Sequence, residues 1–306
     1  MRSILLFIIY RLRGLPISVR ARIGYAIGWI AGIFPSRDKT IATLQIRRFL
    51  PPTTPAPSTS SILANLGQSI MELLDLSPLL KDGTSYVDGP SAEEISRVFS
   101  DESPVIILTG HTANWDLLAA YGVKYGLSIT TIGRKARNPI VQEVLASSRA
   151  KYGVVTIWRD NGREVRQIIN TIKDHKPLAI LVDQDVDLRS ELSTFFGAPA
   201  STPVGLIDLG IRNGCKFVTA FIVRTSFQRY KIYLESITNT SSPSSVLVDY
   251  HSRLEKIICS YPEQWPWIHK RWRTLPNGER LSGKAYIAYL KAELKDLDKS
   301  CQLKSV

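Results

Sequence analysis

Residues Val105 to Leu118 read VIILTGHTANWDLL, and this stretch decides the fold class. Val105, Ile106, Ile107 and Leu108 form a bounded, mostly β-branched apolar run, the pattern of a strand buried on both faces of a parallel sheet. Thr109 and Gly110 then turn the chain. From there Trp115, Leu118, Ala119 and Val123 recur at helical spacing. His111 therefore falls at the C-terminal lip of a strand and Asp116 on the first turn of the next helix. In open α/β sheets ligands bind at that lip. An imidazole with a carboxylate on its far nitrogen keeps one tautomer and can take a proton from a hydroxyl. The spacing H-x-x-x-x-D offers both groups. It equally fits a structural histidine with Asp116 placed favourably at a helix N-terminus.

Outward from this stretch the chain alternates. Strand-like runs lie at Val105–Leu108, Ser128–Ile132, Val154–Ile157, Leu178–Val182 and Phe217–Val223. Helical patterns fall between them at Trp115–Tyr125, Pro139–Tyr152, Gly162–Lys173 and Pro203–Arg212. This predicts an α/β fold, a mostly parallel central sheet flanked by helices on both faces. Tyr230–Leu234 alternates with charged residues and predicts an antiparallel edge strand. Val246–Tyr261 and Lys284–Leu297 predict surface helices, and Ile62–Leu76 an amphipathic one. The sequence contains no internal repeat, P-loop or G-x-G-x-x-G.

The 306 residues carry a net charge of +12, which suits nucleic acid, an anionic membrane or an acidic protein as partner. The first 71 residues hold nine Lys/Arg and one acid, Asp38. Two apolar runs, Ile4–Tyr10 and Ile23–Phe34, are each shorter than the ~20 residues of a spanning helix. Arg11 and Arg13 cut the first run short and no cleavage site follows, which argues against a secretory signal. Arg2, Arg11, Arg13, Arg20, Arg22, Arg37 and Lys39 flank the runs, and Tyr25, Trp29 and Phe34 add interfacial aromatics. Membrane-associating helices lying on an anionic surface fit this composition, as does a docked helical hairpin with a solvated basic face. Residues 51–61 (PPTTPAPSTSS) read as a linker. The expected organisation is therefore N-terminal helices at 1–50, the linker at 51–61 and a catalytic domain at 62–300. Three scattered cysteines and four scattered histidines predict reduced thiols, a cytosol-facing protein and no metal site.

Four further passages carry chemistry. Arg134, Lys135 and Arg137 follow the second strand, Arg149 ends the next helix, and Arg159 and Arg163 follow the third strand. Guanidinium groups gathered at strand ends make an anion site, because arginine matches phosphate with two parallel bonds. A solvated basic face is the alternative. Asp183-Gln184-Asp185 closes the fourth strand and can orient a substrate or an arginine, or cap a turn. Thr202-Pro203 has the form of a helix start, with Thr202 as N-cap and free amides able to hold an anion. Pro262–Glu279 is dense in aromatics and cations, and Trp265, Trp267 and Trp272 there suit a stacked ligand or a headgroup region. His269 reads equally as structural or catalytic.

Taken together these passages resemble the late acyltransferases of lipid A biosynthesis, within the lysophospholipid acyltransferase group. The family's G-H-x-x-N-W-E box stands here as Gly110-His111-Thr112-Ala113-Asn114-Trp115-Asp116. Its Arg before a Gly stands as Arg149 and Gly153, and its D-Q-D as Asp183-Gln184-Asp185. The F-F-G-x-x-A-x-T-x-x-G stretch includes Gly197, Ala200, Thr202 and Gly205, and the P-E-Q-x-x-W-I-H ending runs from Pro262 to Glu279. The resemblance covers roughly residues 1 to 280. It implies transfer of a fatty acyl chain from acyl carrier protein to a hydroxyl of a lipid A precursor, at the cytoplasmic face of the bacterial inner membrane, without a cofactor. It implies His111 as general base oriented by Asp116, and Arg149 or backbone amides on the oxyanion. Asn114, Trp115, Arg134, Lys135, Arg137, Asp183, Gln184, Asp185 and Thr202 would bind substrate. Asp116 stands where the family usually has Glu, and Thr112-Ala113 where Phe-Gly is common, which bears on acceptor identity. Two alternatives stand beside it: an acyltransferase for another glycolipid such as a phosphatidylinositol mannoside, and a non-enzymatic basic membrane-binding protein. Nucleic acid is not an expected partner, since long aliphatic side chains dilute the basic residues.

Overall fold

Seven strands pair in the order β1-β9-β8-β2-β5-β3-β4, and every pair is parallel except β8–β9. The strands are β1 (Val87–Asp88), β2 (Val105–Thr109), β3 (Thr130–Arg134), β4 (Val155–Arg159), β5 (Leu178–Leu181), β6 (Ser190–Phe195), β7 (Ala198–Pro203), β8 (Lys216–Ser226) and β9 (Arg229–Ile237). The helices are α1 (Ile17–Ile33), α2 (Arg37–Phe49), α3 (Thr59–Leu73), α4 (Ala92–Phe99), α5 (Trp115–Lys124), α6 (Pro139–Lys151), α7 (Glu164–Lys173), α8 (Gly205–Arg212), α9 (Pro243–Ser260) and α10 (Gly283–Lys304). This computed structural model describes residues 9–81, 86–99, 103–159 and 164–304. Arg2, the run Ile4–Ile8 and Arg163 lie outside the described residues.

The strand alternation sorts the core. On β2, Ile106 and Leu108 face one side, with Ile168, Ile172 and Ile207 of α7 and α8. Val105 and Ile107 face the other, with Phe99, Leu118 and Ala119 of α4 and α5. That period of two is what a strand buried on both faces requires. The expected α/β sheet with helices on both sides is present.

Four expectations need correction. The Tyr230–Leu234 strand is antiparallel as expected but belongs to β9, which is not an edge, because β1 pairs outside it through Val87 and Tyr230. Thr202 and Pro203 do not start a helix. They end β7, whose hairpin with β6 turns at Phe196 and Gly197, both at positive φ (50° and 69°), the backbone a tight two-residue hairpin turn needs. α9 is not a surface helix, since Val246, Leu247, Tyr250, His251 and Leu254 are buried along it. Trp265, Trp267 and Trp272 do not form an exposed aromatic surface for headgroups. They are 2 %, 0 % and 3 % exposed and pack with Phe49 and Phe195 in the core.

Sequence patterning missed how α1 docks. Gly24, Gly28 and Gly32 repeat every four residues and lie flat against α3. A Cβ on Gly28 would meet the Leu63 carbonyl oxygen at 2.0 Å, and one on Gly24 the Gly67 oxygen at 2.2 Å. This is the small-x-x-x-small packing that brings helix backbones together. With the glycine face turned inward, Ile27, Trp29, Ile30 and Ile33 of α1, and Phe34 just beyond it, are exposed. α2 turns away at 87° and packs on α10, with Arg48 paired to Glu293. Among the described residues no single helix is long and apolar enough to cross a membrane.

Candidate active site

β2 and β5 are parallel neighbours, with Thr109 opposite Leu181. Two residues beyond each lie His111 and Asp183, so the register brings the two side chains together. Asp183 Oδ1 is 2.7 Å from His111 Nδ1, and Oδ2 accepts the His111 backbone N–H at 2.8 Å and the Trp265 indole N–H at 2.9 Å. Burial alone would raise the Asp183 pKa. The neighbouring imidazole and these donors outweigh it and hold the carboxyl well below the usual carboxylate range. A carboxylate there fixes the tautomer with Nδ1 protonated and makes Nε2 the acceptor nitrogen. Nε2 lies 3.5 Å from the Gln184 side-chain amide, and the Trp115 ring stands edge-on to the imidazole at 4.9 Å.

Asp116 therefore does not take the far nitrogen of His111; Asp183 does. Asp116 instead binds Arg149, Oδ1 to Nε at 2.7 Å, with both side chains about nine-tenths buried. Arg149 also lies over the Trp158 ring. Asp116 keeps the Arg149 guanidinium fixed in place, at the cost of one of its donors.

Cavities converge on these groups. A recess beside His111 is bounded by Leu66, Ala113, Trp115, Gln264 and Trp265. Leu66, Ala113 and Trp115 also line an apolar groove of about 440 Å³ between α3 and α6, which ends on Asp116 and Arg149. On the opposite side of the same pair a second apolar cavity of about 70 Å³ lies between α5 and the sheet, lined by Ile107, Leu118, Ile129 and Leu181.

The other expected residues are distributed as follows. Asn114 is buried, and both ends of its amide are used: Oδ1 caps α5 at the Leu117 N–H, and Nδ2 donates to Glu72. Asp185 is fully buried and accepts from Thr274 N–H, facing Arg273 and Arg280. Its role is to hold the 273–280 loop. Thr202 is fully buried and its hydroxyl accepts from Arg271 at 2.6 Å, so it offers no free helix amides. Arg134 at the end of β3 and Lys135 and Arg137 just beyond it are exposed, with β5 between β3 and β2. Arg134 lies opposite Arg159 in the β3–β4 pair, a placement that concentrates positive charge. His269 is half-buried, with Asp183, Arg271 and His111 among its charged neighbours, and burial drives its pKa down to about 3, which keeps the ring neutral. Among the described residues no group of three or more His, Cys, Asp or Glu is placed to hold a metal.

A strand-lip histidine held by a buried aspartate thus stands beside an apolar groove. Residues 1–274 match the family model for bacterial lipid A biosynthesis acyltransferases. The chain belongs to this family. It is 24 % identical over 277 residues to the lipid A biosynthesis palmitoleoyltransferase of Escherichia coli K12, covering 87 % of this chain and 88 % of that protein. A lipid A biosynthesis acyltransferase of Haemophilus influenzae is 22 % identical over 194 residues, 62 % of this chain and 60 % of its own length. Family membership makes this chain an acyltransferase of lipid A biosynthesis.

Proposed function

We propose that this chain moves a fatty acyl group from the thioester of an acyl carrier protein to a hydroxyl of a lipid A precursor, at the cytoplasmic face of the inner membrane. The observation that carries this reading is the His111–Asp183 pair, with His111 beside a recess that shares walls with the 440 Å³ apolar groove.

In this mechanism Nε2 takes the proton as the acceptor oxygen attacks the thioester carbonyl carbon. The carbonyl oxygen becomes an oxyanion, which Arg149, oriented by Asp116, stabilises. The C–S bond then breaks, the carbonyl re-forms as an ester, and the imidazolium returns its proton to the departing thiolate. No acyl-enzyme is needed. The groove holds the hydrocarbon of a reacting lipid, and the exposed Arg134, Lys135 and Arg137 meet its phosphates. The exposed apolar side of α1 and Phe34, beside the basic residues of the first 50, lies on the anionic leaflet.

The test is incubation of purified enzyme in detergent–phospholipid micelles with a lipid A precursor and either acyl carrier protein thioesters or acyl-coenzyme A thioesters. Mass spectrometry reads the product. The expected result is one added acyl chain, faster from the carrier protein. Transfer to a phosphatidylinositol mannoside in preference to the lipid A precursor would replace the acceptor assignment.

A further inference from the structure

The loop between His111 and Asp116 is held by a buried polar cluster that the reaction itself does not use. Glu72, in the last turn of α3, is fully buried. Its Oε1 accepts from Gln68 at 2.8 Å. Its Oε2 accepts from Asn114 Nδ2 at 3.0 Å, from Arg224 Nη2 at 3.3 Å and from the Tyr230 hydroxyl. Arg224, on β8, also donates to Asn65 Oδ1 at 2.6 Å and to Ser69 Oγ at 3.0 Å. The Ser69 hydroxyl in turn lies 2.9 Å from the Ala113 carbonyl. From the opposite side, Gln264 clamps the Arg224 backbone through both ends of its amide, and its own carbonyl accepts the Ala113 N–H at 3.1 Å.

Ala113 is thus gripped at both its N–H and its C=O, and it sits at φ 40°, a left-handed conformation costly for a residue with a Cβ. Such strain persists only where surrounding bonds over-determine it. A buried ion pair is also a poor way to gain stability, because desolvation offsets its attraction and apolar replacements of the same volume are often no worse. Strain and a buried ion pair converge on the residue two positions after His111 and three before Asp116.

We propose that Glu72 and Arg224, acting through Ser69 and Asn114, are positioning residues that set the distance between the His111 base and the Asp116–Arg149 pair. Glu72 and Ser69 lie on α3, and the same helix supplies Leu66, Ser69, Ile70, Met71 and Leu73 to the apolar groove. The helix that receives the hydrocarbon therefore also fixes the loop that acts on its head. This inference depends on the function proposed above, and the test separates the two.

Ser69→Ala removes the link from Arg224 to Ala113 while leaving the Glu72–Arg224 pair in place, and Glu72→Gln weakens the pair itself. Both are compared with wild type and with His111→Ala in the lipid A precursor assay, with rates taken per folded molecule. Small misplacements of reacting groups cost up to about a hundredfold. Ser69→Ala is expected to lower kcat about tenfold and Glu72→Gln about thirtyfold, with KM for the acyl donor within about twofold and, for Ser69→Ala, an unchanged Tm. If Glu72→Gln does not fold, Ser69→Ala decides. Wild-type kcat in every folded variant, with His111→Ala inactive, overturns the positioning role alone. A fully active His111→Ala overturns the proposed function and this inference with it.

Discussion

Replacing Asp183 with asparagine changes one atom in shape but removes an acceptor the site cannot spare. The carboxylate serves three N–H donors: Nδ1 of His111 on Oδ1, and the His111 backbone and Trp265 indole on Oδ2. Asparagine offers a single acceptor. If its oxygen stays with the two fixed N–H groups, its NH₂ faces Nδ1, which must then accept. The ring proton moves to Nε2 and the lone pair that should take the substrate proton is gone. If the amide flips, two buried N–H groups face an NH₂, a costlier arrangement. The first outcome therefore wins, and the enzyme folds with the wrong tautomer. In catalytic triads the equivalent change lowers kcat by about 10⁴, equivalent to about 5.5 kcal/mol of barrier. The expected result for Asp183→Asn is a loss of about 10³ to 10⁴ in kcat, with near-ultraviolet circular dichroism unchanged. Product mass per unit time on a lipid A precursor measures it. A folded Asp183→Asn enzyme within tenfold of wild type refutes the claim that Asp183 sets the tautomer of the base.

Further outcomes follow from other parts of the structure. Arg149→Ala is expected to cost about 10² to 10³ in kcat through loss of the oxyanion donor, and Asp116→Asn less, since the guanidinium remains but is less firmly held; steady-state kinetics on folded variants would show the order, and a more damaging Asp116→Asn would reverse the roles. Gly28→Val would push α1 off α3 by roughly 1 Å or more against backbone atoms, costing about 1–3 kcal/mol and lowering Tm by several degrees, whereas an unchanged melting curve would show the glycine contact to be incidental. His251 and His269 are held neutral, chiefly by burial, with pKa values below the ordinary histidine range. The unfolded chain therefore binds more protons than the folded one below about pH 6.5. This stability is complete above that pH and is lost as pH falls toward 3, with a slope of up to about 1.4 kcal/mol per pH unit for each ring. Urea midpoints at pH 7.5 and 5.5 should fall accordingly, and a flat profile would mean that the rings are accessible to protons in the native state.

The strands and the helices after them were legible because apolar β-branched runs such as Val105–Leu108 and helical spacing such as Trp115–Val123 are local properties. The order of the strands is not local. β5 inserts between β2 and β3, and only that neighbour relation brings Asp183 to His111. The sequence alone suggests the nearer acid, Asp116, which the structure instead places on Arg149. The Thr202-Pro203 pair has the local chemistry of a helix start, but the Phe196–Gly197 turn folds it into a hairpin and the buried Arg271 takes the threonine hydroxyl. A stretch rich in tryptophan and cations reads alike whether it faces a membrane or a core. The partners that decide it here, Phe49 and Phe195, are far away in the chain. The Gly24-Gly28-Gly32 spacing lies inside an apolar run, and its meaning depends on α3, which supplies the backbone it packs against. Glu72 and Arg224 carry no motif, and their role follows only from three-dimensional contact with the loop.

The most direct measurement is a paired reaction of wild type and His111→Ala with a palmitoyl or lauroyl acyl carrier protein and a purified lipid A precursor, read by mass spectrometry. The expected result is a product heavier by one acyl group with wild type and none above the blank with a folded His111→Ala. Equal product from both enzymes, or none from wild type across the donor series, would contradict acyl transfer driven by the His111 base.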